Sequence, residues 1–418
     1  MNKVVITGMG TICPLGVDRH SAFETALAGK CGIGLAAPEI AKWLPNVLVA
    51  SVATNPETLL DSKYAGYDRA TQFALVATQQ AMAEARITSS PDDAERFGVY
   101  AGVGLGGAQT LDSLYQRFYT LLYDTQEKRN PTVMHPLSVP RMMANSSAAL
   151  VSMHYGLKGP SNTYSIACAS SAVAIGEAFR AIRDGYLDAA VIIGTEAMLT
   201  PGAMMAWNAL RVMAKPNAAD VSRSCRPFAK NRSGFVLGEG AAAIVLESEA
   251  RALKRQQTIF GELCGYGCSS DAEHLTAPSQ AQQVRAMRMA IDQAGLTPAQ
   301  IQYLNAHGTA TDAGDVVETK SIREVFGDAA NRLAVSSTKS MHGHLIGASG
   351  ILEFLISVMA MNHGALPPTA SLDEPDPRCD LDYVPIEARR GCTIDAVMSN
   401  SFAFGGSNAS LVARRYPS

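Results

Sequence analysis

Two stretches of equal length decide the fold: Cys168-Ala-Ser-Ser-Ala-Val-Ala-Ile-Gly-Glu-Ala-Phe-Arg-Ala-Ile-Arg-Asp-Gly185 and Gly347-Ala-Ser-Gly-Ile-Leu-Glu-Phe-Leu-Ile-Ser-Val-Met-Ala-Met-Asn-His-Gly364. Each opens on small residues and closes on glycine, which suits a left-handed C-terminal cap. Their first turns are apolar or small nearly all round, and a helix without a polar face is buried on every side. Two such helices, one per half, indicate a duplicated α/β unit with buried central helices; the alternative is a pair of unrelated core helices. Around them, Val4–Thr7, Phe97–Ala101, Thr163–Ala167, Ala189–Ile193, Ala242–Leu246, Gln302–Asn305, Ala334–Ser336 and Ala396–Ser399 read as strands. Ala70 to Glu84 and Gln282 to Ala294 read as helices, the latter closed by Gly295. This alternation predicts layered, largely parallel sheets. No linker divides the chain, and the Pro- and Asp-rich region Ala365 to Pro385 is expected to be an ordered surface loop.

The 418 residues allow two or three domains or one large one. Hydrophobic residues make up 47% and charged residues 17%, which excludes disorder as the main state and supplies a large core. A net charge of −3 argues against a broad nucleic-acid footprint, though a small basic patch for an acidic partner is compatible with it. No apolar stretch approaches the roughly 18 residues of a membrane span. The longest, Ile351 to Met361, holds Glu353. The first residues have no h-region of a secretory signal. Eight cysteines are scattered without a CxxC, as in a protein that keeps its thiols reduced. A cytoplasmic protein with no membrane or nucleic-acid partner is expected.

Four segments could carry chemistry. In Thr163-Tyr164-Ser165-Ile166-Ala167-Cys168, a β-type run ends at Cys168 and a helix starts there. A thiol at a helix N-terminus sits beside unpaired N–H groups and partial positive charge, which lowers its pKa. The alternative is a small buried hydrophobe. In Asn305-Ala306-His307-Gly308-Thr309-Ala310-Thr311, a His lies between a strand end and a glycine turn, where α/β enzymes place catalytic groups. The following Asp315 and Glu318 fit a helix N-terminal capping pair. Lys339, His342 and His344 cluster where a strand turns into the second apolar helix, and a charged Lys there needs a partner. No Cys/His set has zinc spacing, so no metal is expected. Asn400-Ser401-Phe402-Ala403-Phe404-Gly405-Gly406-Ser407-Asn408 fits a tight loop with N–H groups facing a cleft. Gly102-Val103-Gly104-Leu105-Gly106-Gly107 matches a dinucleotide fingerprint only weakly, because no acidic residue follows at the required distance. Lys128-Arg129 is too short to suggest nucleic acid.

Taken together, and with Val4–Gly10, Arg226-Pro227-Phe228, Gly234–Gly240 and Cys379–Pro385, these segments resemble the β-ketoacyl-acyl-carrier-protein synthases of the type I/II class, the thiolase-like condensing enzymes, over essentially the whole chain. The resemblance implies a thiolase-like, duplicated five-layer α-β-α-β-α fold. Residues 1–250 would form the half carrying the nucleophile and 251–418 the half carrying the His/Lys/His set. It implies Cys168 as the acyl-accepting nucleophile, and His307 and His344 as the pair promoting malonyl decarboxylation. Lys339 would be a buried cation paired with Glu318, and the N–H groups of Cys168 and Phe404 an oxyanion hole. Thr309 and Thr311 would bind the pantetheine arm, and Phe404 would gate an acyl pocket running past Trp207 and Phe402 toward Leu111 and Ser138. No organic cofactor is implied. The implied partners are an acyl carrier protein and a second subunit, identical or of the chain-length-factor type.

Several positions depart from housekeeping members of that family. The segment Leu111 to Pro136 is longer, Ser138 replaces Phe, Trp207 replaces a smaller aromatic, and Ala403 replaces glycine. Lys63 to Arg69 carries few basic residues for carrier docking, with Arg211 and Lys128/Arg129 as candidate substitutes. These departures tilt the reading toward a type II polyketide or aryl-polyene-like pathway, with fatty-acid elongation as the other pathway the resemblance allows. A degradative thiolase would need a second Cys in the Phe404 loop, and an initiating synthase would use Cys-His-Asn. A non-catalytic chain-length partner would lack Cys168. A Cys-His thioester hydrolase remains the bottom-up alternative.

Overall fold

The computed structural model describes residues 1–88, 91–123 and 135–417. Ten of its strands carry the main frame: β1 (Val4–Ile12), β2 (Phe97–Val103), β3 (Ser161–Tyr164), β4 (Ala189–Glu196), β5 (Gly240–Ser248), β6 (Gly261–Ser270), β7 (Tyr303–Asn305), β8 (Ala334–Ser336), β9 (Ala396–Phe402) and β10 (Ser407–Arg414); shorter strands form two small sheets beside it. The helices that matter for the site are α1 (Arg69–Glu84), α2 (Ala108–Tyr123), α3 (Ser146–Tyr155), α4 (Ser170–Arg183), α5 (Pro201–Ala209), α6 (Gln280–Ala294), α7 (Asp312–Phe326), α8 (Lys339–His342) and α9 (Ser349–His363).

The strands run in the order β3-β2-β4-β5-β1 and then β6-β10-β9-β7-β8, joined where β1 pairs with β6. Adding five to each number in the first set gives the second, so the two halves are copies in topology. The expectation of largely parallel sheets is corrected. In each half two pairs are parallel, β2–β3 with β2–β4 and β7–β8 with β7–β9, while the remaining pairs are antiparallel. The turn between β9 and β10 is too short for a crossover and returns the chain antiparallel.

The two apolar helices, α4 and α9, lie side by side between the halves and share one core with the inward faces of both sheets. Outside, α1 and α3 cover one half and α6 with α7 the other, completing five layers. The expectation that no stretch is long and apolar enough for a membrane is also corrected. Ile346–His363 meets that measure, but the stretch is 89% buried inside the protein. Strands β6 and β10 escape a hydrophobicity reading because Gly, Ser, Ala and Cys interrupt their few large apolar residues, such as Leu263, Tyr266, Leu411 and Val412. Those glycines have a packing reason. A Cβ on Gly265 or Gly267 would lie 2.1 or 1.9 Å from carbonyl oxygens of α6, and one on Gly8 or Gly10 would lie 2.1 or 2.3 Å from those of α1.

The Ala365–Pro385 region is ordered, as expected, and its middle lies at the surface with Asp373–Pro375, Pro377, Arg378 and Asp380 exposed, but its two ends are built into the core. Thr369, Ser371, Leu372, Tyr383 and Val384 are buried, and Val335 donates to the Asp382 carbonyl at 2.8 Å, covering the free edge of β8. The Gly102–Gly107 run is likewise structural. A Cβ on Gly102 would lie 2.3 Å from the Ser171 backbone of α4, so glycine lets β2 approach that helix.

Candidate active site

Cys168 sits on an elbow. Strand β3 ends at Tyr164, three residues short of the strand expected from the sequence, and a single 3-10 turn spans Ala167–Ala169 before α4 begins. Ala167 takes the left-handed φ of 50°. Ser170 Oγ fixes the bend by accepting the Ile166 N–H at 2.9 Å and donating to the Ala167 carbonyl at 2.7 Å. The sulfur is buried, 3.0 Å from His344 Nε2, with the N–H groups of Phe404 and of Cys168 itself directed at it. The expectation of a lowered thiol pKa is corrected. Burial dominates and pushes the thiol up to about 11, against the pull of the Lys339 ammonium and those two N–H groups. The free site is therefore apolar around a thiol, with its donors already aimed at an anion on or beside sulfur.

His344 follows α8, and its tautomer is set by its surroundings. The Ile346 N–H donates to Nδ1 at 3.2 Å and Ser349 Oγ lies 2.8 Å from the same atom. With Nδ1 accepting, the proton is on Nε2, which points at Cys168. His307 is arranged in the same sense, its Nδ1 3.5 Å from the Lys339 ammonium and its ring edge-on to His344 at 5.5 Å. Burial and the Lys339 charge hold both imidazoles well below their usual pKa, so both are neutral at pH 7. The result is a pair of neutral N–H donors facing one cavity.

The pairing of Lys339 with Glu318 is not found. The ammonium bonds Glu353 of α9 at 2.5 Å, and both side chains are fully buried. Glu318 instead accepts the N–H groups of His307 and Gly308 at 2.8 and 2.7 Å and lies 3.3 Å from Asn400 Nδ2. The capping role expected for Asp315 and Glu318 is corrected as well. α7 starts at Asp312, and Asp315 accepts from Phe228 and Ala310 at 2.7 and 3.1 Å. Both carboxylates hold the His307–Ala310 loop rather than the first turn of their own helix. His342 is buried behind Lys339, 2.9 Å from Thr338 Oγ1. The ligating atoms of Cys168, His307 and His344 lie within 4.8 Å of one another. A dication there would meet the adjacent ammonium and protonated Nε2 atoms, which opposes a metal.

A cavity of about 220 Å³ leads to the sulfur, lined by Cys168, His307, Thr309, Thr311, His344, Phe402 and Phe404 among others. Thr309 and Thr311 hydroxyls lie 3.1 Å apart on its wall. Leu111, Ser138, Trp207 and Arg211 are not in that lining. Leu111 is on α2, Ser138 is buried on a neighbouring turn, and Trp207 is on α5 behind Phe404. Arg211 is exposed with a left-handed φ of 57°, in a separate cleft. Lys128 and Arg129 lie outside the described residues. Sequence reasoning missed Glu353, Ser349 and Glu196. The last accepts the N–H groups of Gly104, Leu105 and Gly347 at 2.7, 3.3 and 3.1 Å and ties β2 to the start of α9. It also missed the Asp271–Pro278 loop, whose Leu275 carbonyl accepts the Gly405 N–H at 2.7 Å and helps close the cavity.

Comparison with known proteins agrees with this geometry. Residues 1–252 match the beta-ketoacyl synthase N-terminal domain and residues 260–373 its C-terminal domain. The 3-oxoacyl-[acyl-carrier-protein] synthase 2 of Staphylococcus aureus (strain COL) is 40% identical over 418 residues, 99% of this chain and 98% of that protein. Among solved structures, a type II polyketide acyl-carrier protein in complex with its ketosynthase bound to the hexaketide aligns with TM-score 0.90 and 28% identity, over 100% of both chains. The ishigamide ketosynthase/chain length factor aligns with TM-score 0.89 and 30% identity, also over 100% of both. The duplicated five-layer frame, the buried Cys with two neutral His donors and these relatives converge: the chain belongs to the β-ketoacyl synthase family of thiolase-fold condensing enzymes and carries out that family's acyl-chain condensation.

Proposed function

We propose that this enzyme extends an acyl chain by two carbons in a type II polyketide, aryl-polyene-like pathway, with Cys168 as nucleophile. The observation that carries the assignment is the 3.0 Å contact from His344 Nε2 to Cys168 Sγ, made by a ring whose Nδ1 is already an acceptor. A ring in that tautomer is a donor to the developing anion, not a base for the thiol. In the first half-reaction, Cys168 sulfur bonds the acyl carbonyl carbon. The oxyanion rests on the N–H groups of Cys168 and Phe404, and the carrier's pantetheine thiol leaves with the proton. In the second, a malonyl thioester lies along Thr309 and Thr311. Its carboxylate carbon–carbon bond breaks and releases carbon dioxide, and the enolate oxygen accepts from His307 and His344. The enolate carbon then attacks the acyl-Cys168 carbonyl and sulfur leaves. Each well-placed donor is worth about 2.7–4 kcal/mol in such a step. Two half-reactions on one nucleophile give ping-pong kinetics.

The same reading takes residues 1–250 and 251–418 as its two halves, a cytoplasmic location, and an acyl carrier protein as the substrate's bearer. It includes Arg211, exposed in the separate cleft, in carrier docking. It also takes a second, chain-length-factor-like subunit as partner. Two facts support that partner. Two similar structures are of a ketosynthase with its acyl-carrier protein and of a ketosynthase/chain length factor. Moreover, the two sheet edges differ: β8 is covered by the Asp382 segment, whereas β3 pairs only with β2 among the described residues and exposes Ser161 and Asn162. An open edge invites a strand from another chain. The test is mass spectrometry after incubation with acyl carrier protein and then malonyl carrier protein. A β-keto product longer by two carbons supports condensation, whereas free acid alone decides for a thioester hydrolase.

A further inference from the structure

We propose that Trp207 selects the acyl tail: it holds Phe404 closed over the cavity, and a flat conjugated tail replaces the aromatic stack that opening breaks. This rests on the acyl-enzyme reading above. Phe404 is a partition, lining the cavity on one face while its other face stacks on Trp207 at 6.4 Å and 26°. Trp207 is itself held, edge-on to Phe235 at 5.7 Å and 78°, and Phe235 stands edge-on to His344 at 5.4 Å and 80°. Phe404, Trp207 and Phe235 pack in one apolar cluster with Cys168, Met198, Met204, Leu199 and Ile346, which a hydrocarbon tail bonded to sulfur would have to enter. Gly405 and Gly406, at φ of 86° and 81°, follow Phe404 directly and are held by backbone bonds, the Gly405 N–H donating to the Leu275 carbonyl at 2.7 Å, so opening is a rotation of the Phe404 ring.

Swinging the Phe404 ring breaks no side-chain hydrogen bond; it exposes the Trp207 face and loses the stack. A saturated tail covers that face and regains apolar area only. A polyene or aryl tail also regains an offset stack, worth about two- to tenfold in the rate of loading. The wide indole face makes the effect larger than a single ring would. Phe235 stands edge-on to Trp207, and Met198 and Ile346 are not flat, so the Trp207 face is the surface on which the discrimination rests.

The experiment uses the full chain carrying Trp43→Phe, which removes the other tryptophan of the chain, a surface residue 59% exposed. Octanoyl- and all-trans-octatrienoyl-pantetheine thioesters are the acyl donors, and mass spectrometry verifies the acyl-Cys168 adduct. Loading is expected to change Trp207 emission with both donors and to quench it more with the trienoyl chain. The trienoyl/octanoyl rate ratio should fall about two- to tenfold in Trp207→Leu, and less in Trp207→Phe. Comparing ratios cancels the different reactivity of the two thioesters. Adduct formation with unchanged Trp207 emission, or an unchanged ratio in Trp207→Leu, overturns the latch and leaves the condensation reading standing. Failure of both donors to acylate Cys168 overturns both.

Discussion

Replacing Glu353 by Leu strands the Lys339 ammonium in the layer between the sheets. Its Nζ bonds Glu353 at 2.5 Å, both side chains are 0% exposed, and its other close contact is the neutral His307 ring at 3.5 Å. Removing one member of such a pair costs about 3–5 kcal/mol, because the remaining charge is desolvated without compensation. Replacing both members by apolar residues of similar volume is commonly neutral or stabilising by about 1–4 kcal/mol. Glu353→Leu should therefore lower the urea midpoint sharply, and Lys339→Met/Glu353→Leu should recover it. Activity should not follow stability. The double variant still lacks the ammonium that holds His307 Nδ1 as an acceptor, so malonyl decarboxylation should stay low in a well-folded protein. A double-mutant cycle in urea, with decarboxylation measured in parallel, tests both halves of the argument. If Lys339→Met couples more strongly to Glu318→Leu than to Glu353→Leu, the assignment of the buried pair is wrong.

His344→Ala should reduce malonyl decarboxylation about 10²–10³-fold while acyl-Cys168 still forms, read by mass spectrometry; loss of acylation instead would make His344 the base for the thiol. Alkylation of free Cys168 by iodoacetamide should rise about tenfold per pH unit from 7 to 10, because its thiol is pushed up to about 11, and a plateau below pH 8 would contradict that. His342→Gln should make the protein less sensitive to acid. The folded pKa of His342 is depressed to about 3 by burial and Lys339. Its neutral form therefore supports the fold fully above about pH 6.5, and that support is lost as pH falls below it, at about 1.4 kcal/mol per pH unit. Denaturation curves of parent and variant should thus shift relative to each other by about 2–3 kcal/mol between pH 6.5 and 4.5, and a constant difference would refute it.

The central helices were legible because a helix with no polar face has one destination. The role of the lone carboxylate within Ile351–Met361 was missed, although a charge inside an all-apolar helix demands a buried counter-charge and Lys339 was a cation in search of one. Glu318 attracted that pairing because it lies closer in sequence and beside His307, but its lone pairs go to backbone N–H groups that no side-chain pattern reveals. The thiol pKa was misjudged for a related reason. Helix-end electrostatics are local and readable, whereas desolvation is a property of everything packed around the sulfur. The stack of Trp207 on Phe404 joins residues far apart in the chain, where periodicity carries no signal. Strands β6 and β10 were lost to the glycines and small residues that let helices approach so closely.

The duplicated frame supplies a second elbow. Ile346 has a φ of 42°, the 3-10 turn Ile346–Ala348 follows, and α9 then begins, just as Ala167 and Ala167–Ala169 precede α4. Gly347 thus occupies the counterpart of Cys168. A Cβ there would lie 2.4 Å from the Gly104 nitrogen, so no thiol can be housed at that point without moving β2. Two equivalent seats exist, and sterics leave one of them reactive and the other a keystone. The repeated frame is in this way handed in its chemistry, with nucleophile and proton donors drawn from opposite halves, so that neither half holds the whole constellation.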